Sequence, residues 1–176
     1  MYIRPQLSRK RTGDRVVLSK EHNADVIMYR QLLEVGAAYE NDISKVIIML
    51  DALVQNDSMA NEDKKDIIAQ LNQLLLELQK EFSSYVENEL ADIEFSMQER
   101  IDEIQSTTNV QESEVFRTET TIWHTGAVDK DKLIAESRGL LYKYQDLLEK
   151  SKSDLHQLKK EAEEQRQRIK EHRTKR

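Results

Sequence analysis

Lys64–Gln105, KKDIIAQLNQLLLELQKEFSSYVENELADIEFSMQERIDEIQ, is the stretch that decides the fold. Within it Ile68, Leu71, Leu75, Leu78, Phe82, Val86, Leu90, Ile93, Met97, Ile101 and Ile104 succeed one another in ten steps of three or four across 36 residues, a mean period of 3.6. That is the period of a straight α-helix rather than the 3.5 of a left-handed coiled coil. At 1.5 Å per residue such a helix is about 60 Å long. A helix of that length does not fit inside a globule, so other segments must cover its apolar stripe.

The rest of the 176-residue chain agrees with long helices. It has only four Gly and one Pro to make turns, and it is rich in Glu, Lys, Gln, Leu and Ile. The absence of cysteine excludes disulfides, thiolate metal ligands and thiol catalysis. No window holds the ~18 consecutive apolar residues of a transmembrane helix. The basic N-terminus is not followed by the apolar stretch of a secretory signal. The expected location is the cytoplasm, or outside it after export without a cleaved signal peptide. Charge is segregated: residues 1–20 carry a net +5 and residues 150–176 a net +5, which leaves −16 for the body between them. Acidic body and basic ends give each copy surfaces complementary to an oppositely charged partner.

Four segments follow from the pattern. Residues 1–18 hold Pro5 and a Gly-Asp pair and read as a basic N-terminal arm, irregular or with one short strand. Residues 19–106 read as an antiparallel helical hairpin. Its first helix, capped at Ser19 or Asn23, places Met28, Leu32, Val35, Tyr39, Ile43, Val46, Leu50 and Leu53 on one face. Gly36 inside that helix is a point where a neighbour can approach closely. The polar run Gln55–Lys64 is the turn, with Ser58 or Asn61 as cap and Glu62 and Asp63 in the first turn of the next helix. The second helix is longer than the first, so Met97, Ile101 and Ile104 are expected to need cover from elsewhere. Residues 107–128 lose the period and read as a Thr-rich connector holding the only tryptophan. Residues 129–176 form a heptad helix with a basic tail, in which Ser137, Ser151 and Gln165 interrupt an otherwise apolar seam. The expected class is all-α: an elongated antiparallel hairpin, a third long coiled-coil-like helix and a basic arm.

Catalytic and cofactor signatures are missing. There is no phosphate-binding glycine loop, no GxSxG and no HExxH, and the four histidines lack partners at metal-ligand spacing. No catalytic residue, metal or cofactor is assigned, and the chain reads as a non-enzyme. Phe116, Ile122 and Trp123 are too apolar for a solvated connector and are candidate partner anchors, together with Met97, Ile101 and Ile104.

Trp123-His124-Thr125-Gly126, between long helices, resembles the Trp-x-Gly turn of the WXG100 proteins and of the helical partners of LXG toxins in Gram-positive type VII secretion, with one residue more between Trp and Gly. Tyr142-Lys143-Tyr144-Gln145-Asp146 resembles the YxxxD/E export signal of that system, with Tyr142 and Asp146 as its two marks; Tyr85 to Glu89 has the same spacing. The resemblance implies a helical partner of a secreted effector. The reading that follows is an adaptor or chaperone that packs its helices against another protein. Its alternative is a self-assembling coiled-coil or phage-scaffold-like protein. A third is weak nucleic-acid binding through the basic ends, against which stand the acidic body and the lack of aromatic residues interleaved with the basic ones.

Overall fold

The structure, a computed structural model, describes residues 3–125 and 129–174, with side chains described for 15–121 and 129–172. It is all-α, and no strand occurs among the described residues. Helix α1 spans Ile3–Val54 and α2 spans Asn61–Glu81. A π-helical segment, Phe82–Glu87, leads directly into α3, Asn88–Thr125, and α4 covers Lys130–Thr174.

The turn between α1 and α2 falls where the polar run placed it. Asn56 Oδ1 accepts the Ser58 backbone N–H at 3.1 Å and the Ser58 hydroxyl at 2.7 Å, closing the chain on itself. The N-cap is Ala60 rather than Ser58 or Asn61 and makes no side-chain cap bond; Glu62 and Asp63 supply negative charge to the first turn. The π segment has a cause in the stripe. Leu78, Phe82, Val86 and Leu90 are separated by three successive steps of four, which would carry the stripe off the core face of an α-helix. A π turn closes i→i+5 bonds and takes up the surplus. The Asn88 backbone N–H then bonds Tyr85 O, and its side-chain amide donates to Ser84 O at 2.7 Å.

Two expectations are corrected. The backbone is helical from Ile3 onward, so the arm expected at 1–18 has neither strand nor irregular stretch in that range. Pro5 lies in the first turn of α1, where its missing N–H would have had no helical partner anyway. The connector expected at 107–128 is helix as far as Thr125. The lost period does not prevent a helix there, and its hydroxyls find partners by bonding back one turn: Thr107 to Glu103 O, Thr108 to Ile104 O at 2.7 Å, Ser113 to Asn109 O and Thr120 to Phe116 O.

The chain divides into two compact units, Met1–Ile27 with Glu94–His156, and Met28–Ile93 with Gln157–Arg176. The first unit buries Leu18 of α1, Met97, Ile101 and Ile104 of α3, and Tyr144, Leu148 and Leu155 of α4. Polar pairs fix its register. Arg100 of α3 bonds Asp25 at 3.0 Å and also Glu21, both of α1. His22 Nε2 donates to Asp154 Oδ2 at 2.8 Å, and Lys150 reaches the same oxygen at 3.1 Å. Gln111 of α3 donates to Ser137 O of α4 at 3.1 Å. The Asp154 carboxyl feels burial most, which pushes it up, but the hydrogen bonds and charges of His22 and Lys150 together hold it below its ordinary range.

The second unit buries Tyr29, Ile43, Val46 and Leu50 of α1, Leu75, Phe82, Val86, Leu90 and Ile93 of the stripe, and Leu158, Ala162 and Ile169 of α4. Here α4 runs parallel to α1: Glu161 pairs with Arg30 at 3.7 Å, Gln165 Nε2 donates to Leu33 O at 2.9 Å, and Arg168 Nε donates to Glu40 at 2.7 Å. Against the stripe it runs antiparallel, with Arg166 Nε donating to Glu87 at 2.6 Å and Ile169 beside Gln79 and Phe82. Gly36 is the close approach that its position in α1 suggested. A Cβ there would stand 2.1 Å from Gln165 Oε1, so only glycine leaves room for the amide that reaches Leu33.

Candidate interaction surface

A surface that recruits a partner helix has to be apolar and incompletely covered. Met97, Ile101 and Ile104 do not qualify. They are 0%, 4% and 0% exposed in the first unit, where Arg100, between Met97 and Ile101, bonds Glu21 and Asp25 of α1, and where Tyr144, Leu148 and Leu155 of α4 are also buried. Phe116 is 72% exposed on α3. The side chains of Ile122 and Trp123 lie outside the described residues, although the backbone there continues α3. An open cleft of about 480 Å³ lies between α3 and α4, lined by Thr118, Thr121, Leu133 and Leu140, with Arg117 and Glu136 also on its wall. Tyr142 and Asp146, one turn apart on α4, are both exposed.

A broader apolar surface lies within the second unit, where the sequence pattern placed only core. Met28 and Val35 share the apolar face of α1 by period, yet they are exposed. The reason is the side from which α4 approaches. It covers the line Leu33, Gly36 and Glu40, leaving the line Met28, Val35, Asp42 and Met49 on the other side of Tyr39 and Val46. On α2 the same division occurs. Gln79 and Phe82 meet α4, whereas Ile67, Leu74 and Glu81, seven apart, lie beyond Leu71 and Leu78 on the far side. Tyr39 ties the two lines together. Its ring packs edge-on to Phe82 with centroids 6.3 Å apart, and Glu81, Asp42 and Tyr85 stand close to its hydroxyl. Burial first, then the negative charge of Glu81, raises the Tyr39 phenol above its ordinary value.

Between these lines runs a groove. Leu53, Leu71 and Leu78 are half-buried in its floor, and Met49, Ile67 and Leu74 stand at 53%, 36% and 41% exposure along its walls. The longest apolar run of the chain, Val46-Ile47-Ile48-Met49-Leu50, belongs to α1, and the run Leu74-Leu75-Leu76 to α2. Such runs exceed what one buried face of a helix requires, and this is the signal by which the sequence alone could have located the groove.

Among the described residues, no group of three or more His, Asp or Glu is placed to hold a metal ion, and no helix is long and apolar enough to cross a membrane. Fold and surface define an all-α protein of long helices with an open apolar groove on its α1–α2 hairpin. No protein-family model, curated protein or solved structure matches the chain.

Proposed function

We propose that the protein is a non-enzymatic adaptor or chaperone that binds another protein by helix packing. The observation that carries this reading is the hairpin groove, whose apolar walls keep a third to a half of their surface exposed while α4 covers the opposite side. Covering apolar surface is worth about 25 cal/mol per Å², so a partner helix laid along several such side chains gains enough to offset its own ordering. Export as the partner of a type VII effector is the narrower form of the proposal. In its favour are the exposure of Tyr142 at 59% and of Asp146 one turn on, accessible to a receptor that reads that spacing.

The test is light scattering on the purified protein, alone and with the products of neighbouring genes, repeated on the variant Ile67→Gln/Leu74→Gln. A defined complex that the variant fails to form supports the proposal. A monomer that forms no complex, or a complex indifferent to the variant, overturns it. Homo-oligomers lost in the variant would place self-assembly first.

A further inference from the structure

The walls of the hairpin groove are apolar, but its rim is charged, and the charge has one predominant sign. Asp42 stands on the α1 side between Val35 and Met49. On α2, Asp63 and Glu77 lie on either side of exposed Gln70 at the outer edge, and Glu81 closes the end beside Tyr39. Against these four carboxylates the same stretches of the two helices set two lysines, Lys45 and Lys64. None of the four is paired with either lysine; the described bond of Glu77 is to Gln73 within α2, at 3.4 Å. We infer that the groove takes a basic amphipathic helix of another protein, its apolar side between Met49 and Leu74 and its Lys or Arg residues against Asp42, Asp63, Glu77 and Glu81. The inference rests on the adaptor reading and specifies the partner's chemistry.

A second copy of the chain fits the groove less well. One basic helix that a second copy could offer is the last part of α4, and its apolar side is already in use: Leu158, Ala162 and Ile169 are buried. Two copies meeting groove to groove would bring acidic rims together, and like charges across an interface oppose association.

Fluorescence anisotropy with synthetic probes on the full chain tests this. The probes are labelled Leu/Lys, Leu/Gln and Leu/Glu amphipathic peptides of roughly 15–20 residues, long enough to hold a helix. The expected order is Leu/Lys tightest, with affinity falling as salt rises. Asp63→Lys/Glu77→Lys should weaken Leu/Lys binding roughly tenfold and strengthen Leu/Glu binding, as two rim pairs reverse sign. Ile67→Gln/Leu74→Gln should weaken all three probes, with helical circular dichroism unchanged. If Leu/Gln or Leu/Glu binds as tightly as Leu/Lys and still depends on Leu74, the basic partner is refuted while the adaptor reading survives. If no probe depends on Leu74, both fall. Sedimentation that shows a dimer dissolved by Ile67→Gln/Leu74→Gln would put a second copy in the groove and refute the inference.

Discussion

Replacing Gly36 by alanine sets two effects of similar size against each other. On propensity alone the change should stabilise α1 by about 0.8–1.0 kcal/mol, since glycine is that much worse than alanine in a helix interior. The added methyl, however, would stand 2.1 Å from Gln165 Oε1 and 2.7 Å from its Cδ, so the amide has to leave. It sits at the end of a flexible side chain but is only 4% exposed, and its Nε2 donates to Leu33 O at 2.9 Å. Displacement forfeits a hydrogen bond of about 1 kcal/mol and strands or overpacks a buried amide at roughly 1–3 kcal/mol more. The expected sum is a loss of about 1–3 kcal/mol, read as a lower urea midpoint followed by circular dichroism. In a Gln165→Ala background the obstacle is gone, and the same Gly36→Ala step should stabilise by about 1 kcal/mol. The cycle should therefore show a coupling of roughly 2–4 kcal/mol. A Gly36→Ala protein that gains stability equally in both backgrounds would refute the reasoning.

Other outcomes follow from burial and charge. Met97→Ala should cost about 2–5 kcal/mol in urea unfolding, as a fully covered side chain does, whereas Phe116→Ala should stay within about 0.5 kcal/mol. If instead Met97→Ala is neutral, the covered end of the stripe has been misread. Asp154 is held below its ordinary value, so its contribution to stability is complete at neutral pH and disappears as pH falls below about 4 through the lower folded value. Asp154→Asn should accordingly flatten the acid limb of a stability-versus-pH curve and lower stability at pH 7; an unchanged limb would contradict the His22 and Lys150 assignment. Lengthening the stripe's steps made the π segment necessary, so Phe82→Ala, which empties a buried position within it, should cost about 3–5 kcal/mol by the same urea assay, and a neutral result would mean that Phe82 does not pack as described.

How far the sequence reached depended on whether one residue's pattern sufficed. The stripe from Leu75 to Ile104 could be read because every residue in it obeys the same period, and the turn at Gln55–Ala60 because Asn, Asp and Ser concentrate there. The polar seam positions of α4 were also legible, and they proved to be contact points: Ser137 beside Gln111, Ser151 buried, Gln165 against Gly36. The helix at 107–125 was not, because Thr and Ser, whose hydroxyls bond back onto the preceding turn, leave no apolar rhythm. Pro5 and Gly13 likewise hid the start of α1, since a proline in a first turn costs nothing that a break would save. Met28 and Val35 show the remaining limit. Period says that a face is apolar, but which neighbour covers it depends on where α4 lies, and that information is shared between Gly36 and Glu40 of α1 and Gln165 and Arg168 of α4.

The π segment at Phe82–Glu87 has a consequence for how this chain tolerates changes in length. An i→i+5 turn holds one residue more than the α-helical turn it replaces, so the segment is equivalent to a single-residue insertion absorbed without breaking the helix. Removing one residue there, such as Ser83 or Ser84, whose side chains are exposed, would return the segment to α geometry and leave the stripe on either side facing the core. The same deletion a few turns away in α2 would swing every following apolar residue off its face. Single-residue deletions should thus be tolerated at this place in the long helix.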